Sequence, residues 1–157
     1  MFAKLLKPHV DLAALLLRWG LAAIFIVHGY IKVVQPFELI PQLSLTAQAV
    51  VGWVELSCGL ALAVGLLSRI AALPIIADQV GAIVLLTGKH ALEGLTLKKA
   101  GADFMLVGPE YNLVLIVMCL GVIVLGSGAA SLDHLLWSLR GGPVARAVPA
   151  PVPAGKG

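Results

Sequence analysis

Charged residues are scarce in this chain of 157 residues, and their scarcity excludes most classes of soluble protein. Only 12% of the residues are charged, whereas 60% are hydrophobic and the mean hydropathy is +1.01. A soluble domain is about one quarter charged and about half apolar, so the composition predicts a membrane protein with several spans. The formal charge of +3 comes largely from the chain ends and forms no basic stripe, which argues against nucleic-acid binding.

Cysteine is almost absent as well. Cys58 and Cys119 each lie within an apolar run, so the sequence has neither a disulfide framework nor a Cys-x-x-Cys spacing. A redox couple between these two thiols is one interpretation, but buried cysteines usually behave as small hydrophobic residues, and we favour that alternative. The sequence also lacks a His-x-x-x-His spacing, and we expect no metal site.

Four apolar segments predict an all-α fold, a bundle of four transmembrane helices with up-down-up-down topology. Pro36 and Pro41 exclude a continuous helix between the first two segments. A short amphipathic helix at 132–139 is expected to lie in the membrane interface. The single domain would cover 1–139, and the Pro/Ala/Gly-rich tail 140–157 is predicted to be disordered. The expected spans are 12–34, 47–67, 70–88 and 111–125.

The distribution of basic residues predicts the orientation in the membrane. With four spans, both chain termini lie on the same side. More basic residues fall on that side than on the other, so the positive-inside rule favours two cytoplasmic termini. The two sets are Lys4, Lys7, Arg18, Arg69, Arg140, Arg146 and Lys156 on the side of the termini, and Lys32, Lys89, Lys98 and Lys99 opposite.

An acidic residue, Glu55, lies near the middle of the second span. A charge at this depth costs about 2.5–3.5 kcal/mol or more on insertion scales. Gln48, Gly52, Glu55 and Gly59 follow one another at spacings of four, three and four, so they share one helix face. Two glycines beside an ionisable group are typical of a face that packs closely inside a bundle. We therefore expect this face to point inward.

Two basic residues of the first span are expected near this acid. His28 and Lys32 are four residues apart, so they share a helix face, at a depth similar to that of Glu55. Together the three residues predict a ligand or proton site, with a purely structural ion pair as the alternative. Arg18 and Asp78 are expected in the cytoplasmic half, where they would form a second, structural ion pair.

Three stretches of the chain resemble the DoxX family of small membrane proteins. They are RWGLAAIFIVHGYIKV, WVELSCGLALAVGLLSRIAAL and GPEYNLVLIVMCLGVIVLGSGAASLD, and the likeness runs from about Leu15 to Leu135. The resemblance implies a four-helix bundle in the cytoplasmic membrane of a bacterium or archaeon. It also implies an association with quinol oxidases, with thiosulfate:quinone oxidoreductase subunits, or with membrane oxidoreductase assemblies that handle thiol or oxidative stress.

These observations lead to one preferred function and two alternatives. The preferred function is a component or accessory of a quinone-linked oxidoreductase, in which Glu55 and His28 relay protons and Lys32 holds an anionic ring. A quinone is then the candidate cofactor, and a membrane or soluble oxidoreductase is the candidate partner. The first alternative is a scaffold without catalysis that binds a redox enzyme through 89–109 or 132–139. The less favoured alternative is a small-solute carrier, suggested by Pro74 beside Asp78.

Overall fold

The computed structural model describes residues 9–34, 44–87 and 110–140. These residues form five α-helices and include no strand, which confirms the all-α class. A π-helical turn, Ile83–Thr87, continues the third helix. The predicted connection 89–109 and the tail beyond residue 140 lie outside the described residues. The helices are α1 (Val10–Val34), α2 (Leu45–Val64), α3 (Ser68–Ala82), α4 (Glu110–Leu125) and α5 (Leu132–Leu139).

Three of these helices are long and apolar enough to cross a membrane. They cover Val10–Val34, Leu45–Val64 and Ser68–Leu85, and Glu110–Leu125 is a shorter apolar helix. Large apolar side chains remain exposed on their outer faces, where a soluble protein would carry polar residues. This arrangement confirms the membrane class. Examples of these exposed side chains are Leu16, Val50, Ile70, Val84, Val117 and Val124.

Glycines allow α1 and α2 to pack with their backbones in close contact. A Cβ atom at Gly29 would lie 2.4 Å from the backbone nitrogen of Leu56 and 2.7 Å from the carbonyl oxygen of Gly52. Gly59 contacts α1 further towards the start of that helix, at Ile26, so the two helices run antiparallel. The face of α2 that carries Gly52, Glu55 and Gly59 is buried, which confirms the prediction that it points inward.

The apolar core lies between α1, α2, α3 and α4, and all four helices contribute to it. Cys119 is fully buried there and Cys58 packs against the same cluster, and both are free thiols. This position is the one expected for cysteines that act as small hydrophobic side chains. The largest side chains of the core are Leu21, Phe25, Leu62, Ile75, Leu115 and Val122.

The turn between α2 and α3 sets the register of these two helices. Gly65 ends α2 in a left-handed conformation with φ of 72°, and its N–H bonds back to the last turn of α2. Ser68 is already the first residue of α3, so the turn lies before residues 68 and 69, which the expected spans 47–67 and 70–88 leave between them. Leu67 has no side-chain cap of its own, and the Oδ1 atom of Asp133 accepts its N–H at 2.8 Å instead.

Candidate functional site

A cavity of about 700 Å³ lies between α1, α2, α3 and α4. Most of its wall is apolar, formed by residues such as Phe25, Val51 and Leu115. Polar side chains from all four helices also reach the cavity. A mostly apolar cavity with a few convergent polar groups is the usual form of a small-molecule site. The polar lining residues are His28, Lys32, Glu55, Asp78, Gln79, Tyr111 and Asn112.

A salt bridge between α1 and α2 forms part of this wall. Lys32 Nζ lies 2.6 Å from Glu55 Oε1, and the two side chains are 19% and 3% exposed, respectively. The second carboxylate oxygen of this acid, Oε2, is buried and has no hydrogen-bond partner among the described residues. A buried acceptor without a donor is costly, so the cavity wall presents an acceptor that a ligand or a proton can satisfy.

Asp78 of α3 adds a second carboxyl group to the cavity. Its Oδ2 atom accepts a hydrogen bond of 2.8 Å from Gln79 Nε2. Asp78 also lies close enough to Glu55 for the two side chains to interact. The cavity wall therefore carries two carboxyl groups beside one ammonium group, that of Lys32. Both carboxyl groups can accept hydrogen bonds from a ligand in the cavity.

His28 lines the same cavity from α1. Its Nδ1 atom lies 2.9 Å from the carbonyl oxygen of Ile24, one helical turn earlier. A carbonyl oxygen only accepts hydrogen bonds, so Nδ1 carries a hydrogen. In the neutral ring this leaves Nε2 as an acceptor. The helix backbone thus selects the tautomer of His28.

The structure brings three of the predicted site residues together and separates the other two. His28, Lys32 and Glu55 share the cavity. Arg18 does not pair with Asp78: its guanidinium donates to the carbonyl oxygens of Leu62, at 3.3 Å, and of Ala130, at 2.6 Å. The predicted ion pair is therefore not formed within the described residues. Asp78 belongs instead with Glu55, to which the sequence interpretation did not assign it.

The misplacement of Asp78 has a simple geometric cause. The expected spans 47–67 and 70–88 put Asp78 in the cytoplasmic half, whereas α2 already ends at Val64 and α3 begins at Ser68. Glu55 lies ten residues before Gly65, and Asp78 lies ten residues after Ser68. At about 1.5 Å per residue, both acids lie about 15 Å from the turn. Gly65, a residue type that typically ends helices, is the sequence signal that places both acids at this depth.

The other end of the bundle is held by a second polar cluster, centred on Asp133 of α5. Its carboxylate accepts the N–H groups of Leu67 and Ser68, at 2.8 Å and 3.3 Å, and the hydroxyl of Ser127. Its own N–H donates to the carbonyl oxygen of Gly65 at 3.0 Å. Asp133 thereby caps α3 and fixes α5 against the turn between α2 and α3.

The ionisation of Asp133 reflects these contacts. Partial burial disfavours its charged form. Hydrogen bonds from Ser127 and from two backbone N–H groups, together with the positive charge of Arg18, favour the charged form, and the pKa of Asp133 falls below its ordinary value. A carboxylate at the start of α3 also interacts favourably with the helix dipole. This cluster stabilises the fold and lies apart from the cavity lining.

Within the part of the chain that the structure describes, no group of three or more His, Cys, Asp or Glu residues is arranged to hold a metal ion. The polar groups of the cavity are two carboxyls, an ammonium, an imidazole, two amides and a phenol. This set can exchange protons and can form hydrogen bonds with a neutral or charged organic ring.

A protein-family model described as DoxX matches residues 13–88. The matched region covers nearly all of α1 together with α2 and α3, and it contains His28, Lys32, Glu55 and Asp78. No curated protein and no solved structure matches the chain.

Proposed function

Because the chain belongs to the DoxX family, we propose that it is an integral membrane component or accessory of a quinone-linked oxidoreductase system. The observation that carries this proposal is the cavity of about 700 Å³ with Lys32, Glu55 and Asp78 at its wall. Ionisable groups inside a membrane protein generally mark a ligand or proton site. In this proposal, sulfur or thiol redox chemistry, or a response to oxidative stress, is the setting in which the system acts.

The proposal places the chain in the cytoplasmic membrane as four spans with both termini in the cytoplasm. Contacts between α1 and α4 support it: Gly20 lies against Met118, and Gly121 lies against Leu17. Residue numbers therefore rise along α1 as they fall along α4, as an up-down bundle requires. In this arrangement α4 is the fourth span and α5 lies in the membrane interface.

The cavity suits a quinone in size and in the distribution of its polar groups. Its volume lies within the range of roughly 300–1,000 Å³ that is usual for small-molecule sites. Apolar side chains would surround the ring and the start of its tail, while the unpaired Oε2 of Glu55 supplies a polar contact. A bound quinone supplies the redox chemistry, because its reduction to the quinol takes up two electrons and two protons.

The residues of this chain then have distinct roles. Lys32 holds the carboxylate of Glu55 in place and offsets its charge, since the two groups are 2.6 Å apart. Glu55 Oε2 and His28 Nε2 accept protons from the ring or return protons to it. Asp78 is the second acid beside Glu55 and serves as the next proton acceptor along the wall. Tyr111 and Asn112 close the cavity from α4.

Ligand analysis and binding measurements test this function. We expect the protein, purified in mild detergent, to carry a quinone that an absorbance spectrum and mass analysis of the lipid extract detect. Glu55→Gln should weaken the binding of an added quinone at least tenfold. Glu110→Gln is the matched control, because Glu110 is an exposed acid at the start of α4 and does not line the cavity. Quinone binding unchanged by Glu55→Gln would remove the cavity from the proposal.

A scaffold without catalysis is the second candidate, and α5 is the feature that favours it. Its apolar residues are exposed although Asp133 fixes the helix to the bundle, so α5 presents a firmly held apolar face. Stoichiometric copurification with a soluble redox enzyme, without bound quinone, would favour this function. The exposed residues are Leu132, Leu135, Leu136, Trp137 and Leu139.

A further inference from the structure

We propose that the cavity opens to the lipid bilayer between α2 and α3, and that this lateral opening, bordered by Val51, Ala77 and Gly81, admits a ligand with a long apolar tail. The inference rests on the proposed function, since it concerns the same cavity. It narrows the ligand to a lipid-soluble quinone, whose ring enters the cavity while its tail stays in the bilayer.

Ala77 lies where the cavity reaches the outer surface of α3. Ile70 and Leu73, seven and four residues earlier, share its helix face and are 59% and 56% exposed. In a helix that spans a membrane, apolar side chains this exposed face lipid. Ala77 is itself exposed and also lines the cavity. A residue that belongs to both surfaces marks the place where the cavity meets the lipid.

The opening lies on the side of α3 that faces α2. Asp78 follows Ala77 directly and interacts with Glu55 of α2, so this side of α3 is turned towards α2. Gly81 lies three residues beyond Asp78, on the same side of the helix, and lines the cavity as well.

Val51 is the residue of α2 that borders the opening at the depth of Gly81. It lines the cavity one helical turn from the acid of α2. Val51 lies fourteen residues before Gly65, and Gly81 lies thirteen residues after Ser68. At about 1.5 Å per residue, both are about 20 Å from the turn. A glycine on one helix thus stands at the level of a medium-sized apolar residue on the other.

No other helix fills the space beside Gly81. A Cβ atom there would meet nothing within 4 Å among the described residues. Glycines at other helix contacts differ: a Cβ at Gly29 would lie 2.4 Å from the backbone nitrogen of Leu56, and one at Gly121 would lie 3.1 Å from a methyl group of Leu17. Contact therefore closes α1 against α2 and joins α1 to α4, whereas Gly81 leaves a gap beside α3.

A lateral opening suits a ligand that is dissolved in the membrane. Transfer of each methylene group of a long tail to water is unfavourable, so the bilayer retains such a ligand. The opening lets the ring reach Lys32 and Glu55 while the tail remains in lipid. A ring without a tail makes the same polar contacts and does not occupy the opening.

Binding of a tailed and a tail-less quinone to the full chain in lipid nanodiscs tests the inference. The probes are 2,3-dimethoxy-5-methylbenzoquinone and the same ring with a tail of four isoprene units. Gly81→Phe fills the opening, so it should weaken binding of the tailed quinone at least tenfold and that of the tail-less quinone less than threefold. Val80→Phe is the matched control and should change neither affinity, because Val80 is exposed and does not line the cavity.

Crosslinking to the wild-type protein covers a loss of folding in Gly81→Phe. A tailed quinone with a photoreactive diazirine on its first isoprene unit should label α2 or α3 at the lateral opening, and peptide mass analysis locates the label. A label confined to α1 and α4 would overturn this inference and leave the proposed function standing. The same holds if Gly81→Phe weakens both quinones equally or leaves the tailed quinone unaffected. Failure of both quinones to bind the wild-type protein would overturn both proposals.

Discussion

Glu55 and Asp78 meet at the cavity because they are equally far from the turn that joins their helices. Each lies ten residues from that turn, one before Gly65 and the other after Ser68. The single ammonium group beside them, that of Lys32, bonds to Glu55. One ammonium group and two carboxyl groups thus converge from α1, α2 and α3 at one depth. A structural ion pair would need only one acid, so the second carboxyl group supports the proposed ligand or proton site.

The first prediction concerns the unequal burial of the salt bridge. Lys32→Met should destabilise the protein by about 3–5 kcal/mol, because it leaves the buried carboxylate of Glu55 without a counter-charge. Glu55→Gln should cost less, since Lys32 is more exposed and Asp78 remains nearby as an alternative partner. The double variant should regain most of the stability lost in Lys32→Met. Thermal and denaturant unfolding in detergent measure the stability of all three variants. Losses that simply add in the double variant would contradict the pairing.

The sequence predicted the inner face of α2 correctly because this face depends only on helical periodicity. Gly52, Glu55 and Gly59 follow that period, and the four-residue spacing of His28 and Lys32 placed both at the cavity. The position of Asp78 depends instead on where α3 begins. That start is fixed by Asp133, a residue of α5 far along the chain, which caps the turn. Gly65 indicates locally where α2 ends, but no local pattern encodes the cap from Asp133 or the partners of Arg18.

A second prediction tests the close contact of α1 and α2. Gly29→Ala should destabilise the protein by about 1–3 kcal/mol or more, because its Cβ would lie 2.4 Å from the backbone of Leu56, which has little room to move. Gly81→Ala in α3 is the matched control. A Cβ there meets nothing within 4 Å, and alanine is the better helix former by up to about 1 kcal/mol. Equal unfolding midpoints of the two variants would exclude the close packing.

A third prediction concerns the cap of α3. Asp133→Ala should lower the free energy of unfolding by about 1–3 kcal/mol, because the N–H groups of Leu67 and Ser68 lose their acceptor. It should also release α5, which limited proteolysis near Arg140 would detect. Asp11→Ala is the control: its carboxylate accepts one backbone N–H, that of Ala129, at the same end of the bundle. A cost no greater than that of the control would mean that Asp133 does not hold the turn.

The fourth prediction follows from the lowered pKa of Asp133. A depressed pKa in the folded state contributes stability that is fully present above the unfolded value, ordinarily 3.8. This contribution is lost as the pH falls through the folded pKa. The stability difference between the wild type and Asp133→Asn should therefore stay constant from pH 7 to about pH 5 and shrink at lower pH. Unfolding midpoints of the two proteins across this pH range measure the stability difference. A difference that grows towards acidic pH would contradict the lowered pKa of Asp133.

The last prediction concerns orientation. The N–H of Asp133 bonds to the carbonyl oxygen of Gly65, so α5 and the turn between α2 and α3 lie at the same end of the bundle. Arg18 and Arg69 also bond within this end, to Ala130 and Val124. The positive-inside rule then places this end in the cytoplasm. A reporter fused after Arg140 should be cytoplasmic and one inserted between residues 89 and 109 should be external, whereas reporters on the same side would rule out four spans.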